Sequence, residues 1–278
     1  MAQDAHEIRP GQSIELLKEL HILTREGKMN QDSRRKLKQV YHLVQFIEPL
    51  LKEIGHPDIR LVDHGAGKSY LGFILYDLFF KARNDASHII GIESRAELVV
   101  KSHDLADRLN FPGMSFHHLS VAEAIVSDAL PDRVDVVTAL HACDTATDDA
   151  ISFALKKQAR FIVLVPCCQA EVASMLKRNK ARNKVESLSA GALAELWRHP
   201  LHTREFGSHV TNVLRCLQLE AHGYQVSVTE LVGWEHSMKN ELIIGRYQDL
   251  PRGRPGERLT ELLATLGLAE LGQRFFLP

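Results

Sequence analysis

A glycine-containing turn that follows an acidic residue is the stretch of this sequence best suited to binding a ligand. The apolar run 59–62 ends in Asp63, the chain turns within residues 65–67, and apolar residues then recur at helical spacing from Leu71. Glycines in such a strand–turn–helix unit let a ligand approach the backbone and leave the first helical amides free to bind it. The pattern therefore predicts a ligand crevice at the end of the first strand.

The spacing within this turn limits the kind of ligand. A P-loop ends in Gly-Lys-Ser/Thr, which Gly67, Lys68 and Ser69 supply, but its first glycine is replaced by Val62. A dinucleotide-binding fingerprint needs a third glycine where Tyr70 stands. The interpretations that remain are a D-x-G-x-G ligand turn and an ordinary strand-to-helix connection.

A second acidic residue follows the next predicted strand. Residues 88–93 form another apolar run, which ends in Glu93. In open α/β sheets, ligands bind beyond the carboxyl ends of the strands, and an acid after the second strand accepts hydrogen bonds from ribose hydroxyls. Because the glycine turn is nearby, we prefer this role for Glu93 to that of an exposed glutamate at a strand end.

Two later strands lead into polar and sulfur-containing side chains. The strand predicted at 133–140 is followed by His141, Cys143 and Asp144, and the strand at 160–165 is followed by Cys167 and Cys168. Parallel strands end at the same edge of a sheet, so these five side chains are predicted to converge beside the crevice. Asp144 also suits the N-cap of the helix predicted at 145–158.

The composition is that of an ordinary soluble chain of 278 residues, 45% hydrophobic and 25% charged. A net charge of −1 gives no overall attraction to nucleic acid, so such binding requires a local basic patch. There is no apolar run of about 18 residues, which predicts no membrane span. Four cysteines without a CxxC pair indicate a reducing, cytoplasmic location.

The order of predicted elements indicates an α/β fold. Strands are predicted near 59–63, 88–93, 114–119, 133–140 and 160–165, alternating with helices, before an antiparallel pair at 224–231 and 241–247. A helix predicted at 32–54 precedes the first strand; Asp32 or Ser33 is its predicted cap, and Pro49 is expected to kink it. Another helix, predicted at 209–222, lies between the fifth strand and the antiparallel pair. We divide the chain into a helical segment (1–57), a domain with a helical insertion at about 170–208 (58–250), and a linker with a final helix (251–278).

Two segments are locally basic. The first contains Lys28, Arg34, Arg35, Lys36 and Lys38, and the second contains Lys177, Arg178, Lys180, Arg182 and Lys184. The ordinary interpretation of both is a solvated helix face. The functional interpretation of the second segment is a lid that contacts phosphates.

Taken together, these motifs resemble those of one family. The D-x-G-x-G turn is similar to motif I of class I S-adenosyl-L-methionine (SAM) methyltransferases. The segments HACDTATD (141–148) and PCCQ (166–169) resemble a methyltransferase-domain family that includes a eukaryotic tRNA ribose methyltransferase, as do residues 34–40 and 239–240. This chain has Asp144 where that enzyme has a glycine, and it lacks the Cys/His-rich zinc segments. The resemblance implies a Rossmann-like α/β fold with a seven-stranded, mostly parallel sheet, an antiparallel last strand, and added N-terminal helices.

The resemblance also implies roles for individual residues. It places SAM against Asp63, His64, Gly65, Ala66, Gly67, Glu93, Ser120, Val121, Leu140 and His141. Within that set, Asp63 and the glycines surround the methionine part, Glu93 binds the ribose, and Ser120 and Val121 lie against the adenine. The catalytic candidates are Asp144 as base or substrate orienter, then His141 and Lys239. Substrate contacts are assigned to Cys143, Cys167, Cys168, Lys177, Arg178 and Lys180.

The function predicted from these features is SAM-dependent methylation of RNA, at a ribose oxygen or a base nitrogen. Methylation of a protein or small molecule and a SAM-fold binding module without activity are the alternatives. Cys143 and Cys167 also stand where RNA cytosine-C5 methyltransferases place their cysteines. A zinc site of His141, Cys143, Cys167 and Cys168 matches no standard spacing, so we predict no metal.

Overall fold

The computed structural model describes residues 8–83, 85–140, 145–166, 169–181, 195–196, 198–231, 241–249 and 253–278. Strands and helices alternate along most of this length. The strands form one sheet, and helices cover both of its faces.

The sheet has seven strands. They are Arg60–His64 (β1), His88–Glu93 (β2), Met114–His118 (β3), Val136–Leu140 (β4), Phe161–Val165 (β5), Tyr224–Glu230 (β6) and Glu241–Tyr247 (β7). Their spatial order is β3-β2-β1-β4-β5-β7-β6, and only β7 runs against its neighbours. The predicted fold class is thereby confirmed. Strands β1 to β5 all end at the same side of the sheet, which we call the carboxyl edge; the opposite side is the amino edge.

The helices connect these strands. They are Ile14–Glu19 (α1), Gln31–Glu53 (α2), Tyr70–Leu75 (α3), Ala96–Arg108 (α4), Val121–Val126 (α5), Thr145–Lys156 (α6), Glu171–Ala181 (α7), Pro200–Ala221 (α8) and Pro255–Thr265 (α9). The turn Tyr76–Phe80 extends α3 as a π-helix, and the 3₁₀ turn Ala269–Leu271 follows α9.

Each face of the sheet has its own apolar core. Leu61 belongs to the core formed with helices α1 to α4, whereas its neighbour Val62 belongs to the core that includes Phe153 of α6. Successive strand residues point to opposite faces, so a strand covered on both sides is apolar throughout. A third cluster joins α7, α8 and α9.

Helix α2 differs from its prediction at the start. Asn30, rather than Asp32 or Ser33, is the N-cap, and its Oδ1 accepts a hydrogen bond of 2.8 Å from the Ser33 amide. The predicted caps lie one and two residues beyond the first helical position, where the backbone is already helical. The helix continues past Pro49 to its last residue, Glu53.

The end of α2 is fixed to the amino edge. Glu53 accepts a 2.9 Å hydrogen bond from Arg160, just before β5, and another from Arg246, near the end of β7. The last turn of α2 therefore lies at the amino edge, directly before β1 begins.

Helices α8 and α9 both begin before their predicted first residues. Each has a proline in its first turn, Pro200 in α8 and Pro255 in α9, whereas the predicted starts were His209 and Arg258. A proline is favoured at this position because its missing amide has no helical partner there.

Candidate functional site

The turn after β1 is held against the end of β2 by two of its own amides. The Ala66 amide donates to the Ile92 carbonyl (2.9 Å), and the Gly67 amide donates to Oε2 of Glu93 (2.7 Å). Gly65 and Gly67 have φ values of +68° and +60°, a region that glycine adopts without strain. These two turn amides are therefore bonded within the protein, whereas the prediction concerned the first amides of helix α3, which begins at Tyr70.

Glu93 is the buried anionic group at this edge. Besides the Gly67 amide, it accepts hydrogen bonds from the Arg95 amide (3.1 Å) and from Nε of the Arg95 guanidinium (2.9 Å). Burial disfavours its charge, but the bonds from Arg95 and Gly67 outweigh this, and the pKa of Glu93 lies below its ordinary value. Glu93 is thus an ionised acceptor beside the glycine turn, as a ribose-binding acid must be.

Asp63 lies beneath the turn, on the face of the sheet covered by α3. It is 2% exposed, and its Oδ1 accepts a hydrogen bond of 2.8 Å from the Thr138 hydroxyl on β4. Burial raises its pKa to about 7, although the Thr138 bond opposes this shift. A carboxyl with such a pKa gains a full charge when a cation binds nearby, so Asp63 suits a ligand with a positive group.

His64, the last residue of β1, points to the opposite face. Its ring is 3% exposed, and its centroid lies 5.8 Å from that of Phe153 in α6. Neither ring nitrogen has a hydrogen-bond partner among the residues that the structure describes. Burial lowers the pKa of His64 to about 4, despite the opposing charge of Glu93, so the imidazole is neutral at physiological pH.

Three further predicted cofactor contacts lie at the same edge. Ser120 begins α5 with a capping box: its amide donates to Oε2 of Glu123 (2.7 Å), and its hydroxyl accepts from the Glu123 amide (3.4 Å). Leu140 ends β4 and is partly buried against the core of the α1–α4 face. Val121 is the first residue of α5.

The predicted catalytic residues and several predicted substrate contacts lie outside the described part of the chain. The catalytic residues are His141, Asp144 and Lys239; the substrate contacts are Cys143, Cys167, Cys168 and the side chain of Lys180. Their roles remain predictions, and so does the cysteine chemistry. Lys177 and Arg178 are described, and both are exposed on α7.

A buried polar cluster that was not predicted from the sequence lies next to the segments that contain these residues. Arg215 is fully buried and donates to both oxygens of Asp148 (2.7 and 3.1 Å) and to the side-chain carbonyl of Asn212 (3.1 Å). Asn212 also accepts from Gln169 (3.0 Å) and donates to Glu241 (2.7 Å). We call these five residues the Arg215 network; it joins α6, α8, the tail of β5 and the start of β7.

One sequence signal could have revealed this network. Ser208, Asn212 and Arg215 recur at intervals of four and three, which places them on one face of the helical pattern. A polar face in a helix that is otherwise apolar indicates buried partners, but the partners themselves cannot be read from that spacing.

Comparison with known proteins identifies the family. Residues 35–175 match a family model described as "Methyltransferase domain", from the first turns of α2 to the middle of α7. The match covers just over half of the chain. The chain belongs to this methyltransferase-domain family. The resemblance inferred from the glycine turn and the segments at 141–148 and 166–169 is therefore confirmed at the level of the family.

Curated relatives of this methyltransferase domain are much longer proteins. The Glutathione S-transferase C-terminal domain-containing protein of Bos taurus is 26% identical over 238 residues, covering 81% of this chain and 35% of that protein. The Drosophila melanogaster homolog is 27% identical over 231 residues, covering 77% and 37%. The chain thus spans little more than a third of these relatives.

Two solved structures are similar to this chain at low sequence identity. Magnesium protoporphyrin IX methyltransferase from Synechocystis PCC 6803 with bound SAH gives a TM-score of 0.49 at 13% identity, covering 84% of this chain and 95% of that one. A fibrillarin pre-rRNA processing protein from Methanococcus jannaschii gives 0.43 at 13% identity, covering 70% and 68%.

The described ranges contain neither a membrane-spanning helix nor a cluster of metal-binding side chains. No helix there has the length and apolarity needed to cross a membrane. The same residues contain no group of three or more His, Cys, Asp or Glu side chains placed to hold a metal ion. The zinc hypothesis concerned residues 141–143 and 167–168, which lie outside that part of the chain.

Proposed function

We propose that this protein is an S-adenosyl-L-methionine-dependent methyltransferase that acts on RNA, at a ribose oxygen or a base nitrogen. S-adenosyl-L-methionine is its cofactor. The observation that carries the proposal is the ionised Glu93 bound to the Gly67 amide, which joins the glycine turn of β1 to the acid of β2 in a chain of the methyltransferase-domain family.

The residues at the carboxyl edge fit this cofactor. Glu93 offers negatively charged oxygens for ribose hydroxyls, and its partner Arg95 is 59% exposed and can move away. Among the described residues, a side chain at Gly67 would meet only the end of Arg95, 3.8 Å away. Asp63 suits the positive groups of the cofactor, and His64 has two ring nitrogens without a hydrogen-bond partner in the part of the chain that the structure describes.

The bound cofactor would supply an electrophilic methyl group on a sulfonium. The protein then has to align the nucleophile and remove its proton. The residues that we assign to these tasks are Asp144 as base or orienter, His141 beside the reacting groups, and Lys239 as a cation near the hydroxyl or a phosphate. Their positions after strand β4 and before β7 place them in segments that adjoin the Arg215 network.

Support for an RNA substrate comes from the charge on the first turns of α2 and just before them. Lys28 precedes α2, and Arg35, Lys36 and Lys38 lie in its first turns; all four are exposed, and we call them the α2 basic surface. Asp32 forms an exposed ion pair with Arg35 (3.5 Å), and such a pair contributes little to stability.

The position of this surface follows from how α2 packs. Val44 and Glu48 of α2 line a cavity of about 400 Å³ with Leu75 and Phe79, the end of α3 and its π-helical extension. Helix α3 begins just after the glycine turn, and α2 ends at the amino edge. We infer from this packing that the α2 basic surface lies on the side of the crevice, where it can contact the phosphates of a bound nucleic acid.

Transfer of labelled methyl groups tests the reaction. The purified protein is incubated with methyl-tritiated SAM and an extract of cells that lack the gene, and the label is counted in RNA, DNA, protein and small-molecule fractions. We expect label in RNA, and at least a tenfold loss in Glu93→Gln, because the neutral amide binds ribose hydroxyls more weakly. Label confined to protein or small molecules would replace the RNA proposal.

A charge-matched pair of variants tests the α2 basic surface. Lys28→Glu with Lys36→Glu should weaken RNA binding roughly tenfold at 150 mM salt and reduce the salt slope by about two. The control, Lys101→Glu with Lys156→Glu, changes the net charge equally at exposed positions on α4 and at the end of α6. Equal losses in the two variants would show that only net charge matters and that α2 has no special role.

A further inference from the structure

The Arg215 network lies where three segments of the chain meet the sheet. Asp148 belongs to the first turn of α6, which follows β4; Gln169 follows the end of β5; and Glu241 is the first residue of β7. Strand β7 runs against β5, so its start lies at the carboxyl edge, where β4 and β5 end. The network therefore joins the connections of three neighbouring strands at the edge that carries the cofactor in the proposed function.

Two buried residues of α8 make these connections. Asn212 accepts hydrogen bonds from Gln169 (3.0 Å) and Arg215 (3.1 Å) and donates one to Glu241 (2.7 Å). Arg215 donates to both oxygens of Asp148, a geometry that fixes both the distance and the orientation of the two side chains. Both residues of α8 are at most 3% exposed. A shift of any one of the three segments relative to α8 would break at least one of these bonds.

Stability alone does not account for charged groups at this position. Taking an arginine and an aspartate out of water is costly, and apolar side chains of similar size often stabilise a buried site as well or better. Apolar side chains, however, can pack in several arrangements, whereas the paired guanidinium and the bonded amide accept one. The network thus selects a single arrangement of the three segments.

The anchored residues stand next to residues with assigned catalytic and substrate roles. Along the chain, Asp148 is four residues after Asp144, Glu241 is two residues after Lys239, and Cys168 immediately precedes the third anchored residue. A chain extends by at most about 3.6 Å per residue, so the Cα atom of Lys239 is within about 7 Å of that of Glu241. Where the anchored residues are held therefore limits where these neighbours can be.

We propose that Arg215 and Asn212 are positioning residues for methyl transfer, which hold the segments after β4, after β5 and before β7 in the arrangement that aligns the nucleophile with the methyl group. The inference rests on the proposed function, because it requires a transfer reaction at the carboxyl edge. Both residues act through Asp148, Gln169 and Glu241. A misplacement of about 1 Å in a catalytic group can slow a reaction roughly a hundredfold, whereas cofactor binding depends mainly on β1 and β2.

A double variant separates positioning from stability. Arg215→Met with Asp148→Leu removes both buried charges, so its unfolding temperature should stay close to that of the native protein. Its apolar side chains do not fix the segment after β4, and kcat should fall roughly tenfold to a hundredfold. The initial rate is measured with saturating methyl-tritiated SAM and increasing amounts of extract from cells that lack the gene, in the fraction that takes up label. Affinity for S-adenosylhomocysteine, from titration calorimetry, should change less than about threefold.

A matched pair of variants at Glu241 tests the side of the network that faces β7. Glu241→Gln keeps an oxygen that accepts from the Asn212 side chain, so it should retain most of the rate. Glu241→Leu has no such acceptor, and its kcat should fall roughly tenfold with little change in the affinity for S-adenosylhomocysteine.

Leu263→Ala is the control for a loss of stability without a change in the network. Leu263 of α9 is buried in the cluster that joins α7, α8 and α9, and its apolar side chain makes no hydrogen bonds. This variant should unfold at a lower temperature because it leaves a cavity. Assayed at a temperature at which it is folded, it should keep the native kcat.

The combined results decide the proposal. It is supported if the double variant loses kcat while stability and affinity for S-adenosylhomocysteine are kept, and if Glu241→Gln is faster than Glu241→Leu. It is overturned by a native rate in the double variant, by an equal loss of rate in Leu263→Ala, or by a loss of affinity as large as the loss of rate. Should the double variant not fold, equal rates in the two Glu241 variants overturn the proposal and unequal rates support it. If the unmodified protein labels no fraction, the proposed function fails, and the positioning role fails with it before any variant is compared.

Discussion

The end of β1 and the Arg215 network are both buried and polar, but they differ in how their groups are satisfied. In the network, Arg215 is fully buried, and its hydrogen bonds to Asp148 and Asn212 are all 3.1 Å or shorter. At the end of β1, Asp63 is held in a raised-pKa state and His64 has no partner among the described residues. Complete pairing stabilises a fold, whereas incomplete pairing at a sheet edge leaves groups for a ligand.

Removing the charge of Arg215 tests the paired side of this comparison and should have the largest effect. Arg215→Met leaves Asp148 buried without its main partner, and we expect a loss of about 3–5 kcal/mol in the free energy of unfolding. Urea denaturation measures this. The control is Arg258→Met, in an exposed pair with Glu220 (3.5 Å), which should cost at most about 1 kcal/mol.

A double variant sharpens the same test. Arg215→Met combined with Asp148→Leu removes both charges, and most of the lost stability should return because no buried charge is left alone. Similar stability losses in Arg215→Met and Arg258→Met would show that the network contributes no more than a surface ion pair.

At the end of β1, the incompletely paired region, Asp63 should make the free energy of unfolding depend on pH. Its pKa is about 7 in the folded protein and near 3.8 ordinarily, so between these values the folded state binds a proton that the unfolded state lacks. Stability from this group is present at low pH and falls as the pH rises towards 7. Asp63→Asn lacks this slope and should gain roughly 2–4 kcal/mol over the native protein between pH 4.5 and 8.

Unfolding free energies of both proteins across that pH range measure the difference. Parallel curves would mean that Asp63 is solvated or paired in the folded state. Saturating S-adenosylhomocysteine should reduce the difference at pH 8, because its ammonium group favours the ionised form of Asp63.

Ser120 should give the smallest effect, because it is paired but exposed. Ser120→Ala removes one half of the capping box, and we expect a loss of about 0.5–1 kcal/mol in thermal unfolding. Ser174→Ala, at an exposed position within α7, is the control and should be neutral. The Ser120 hydroxyl already accepts a hydrogen bond from the Glu123 amide, so the affinity of Ser120→Ala for S-adenosylhomocysteine should change less than about threefold. A tenfold loss of affinity would instead indicate that Ser120 binds the adenine.

The sheet could be predicted from the sequence because its signals are local. Apolar runs bounded by acids, glycines and polar tails marked all seven strands, and most predicted ends lie within one or two residues of the observed ones. The exception is β4, predicted from Arg133 but observed from Val136. The starts of α8 and α9 were predicted less accurately, because the predicted starts followed the apolar pattern alone and each helix begins earlier, at a proline.

The pairing within the site could not be predicted in the same way. Asp63, His64 and Glu93 could be chosen because each stands at the end of a predicted strand. The hydrogen bond from the Gly67 amide to Glu93, 26 residues away, has no signal in the sequence. Arg215 and Asp148 are 67 residues apart and meet only because α6 and α8 cover the same part of the sheet. The absence of a partner for His64 depends on every element packed around it, which no local pattern contains.

The position of β7 has a consequence for how the chain folds during synthesis. This strand is made last but lies between β5 and β6, so β6 has no neighbour in the sheet until β7 inserts. Arg246 of β7 also bonds Glu53, 193 residues earlier, so the end of α2 gains that contact only then. Such distant contacts slow folding and leave strand edges exposed. A nascent chain that stops before Glu241 therefore presents an open β5 edge, and chaperones that bind such edges should associate with it until the final strand emerges.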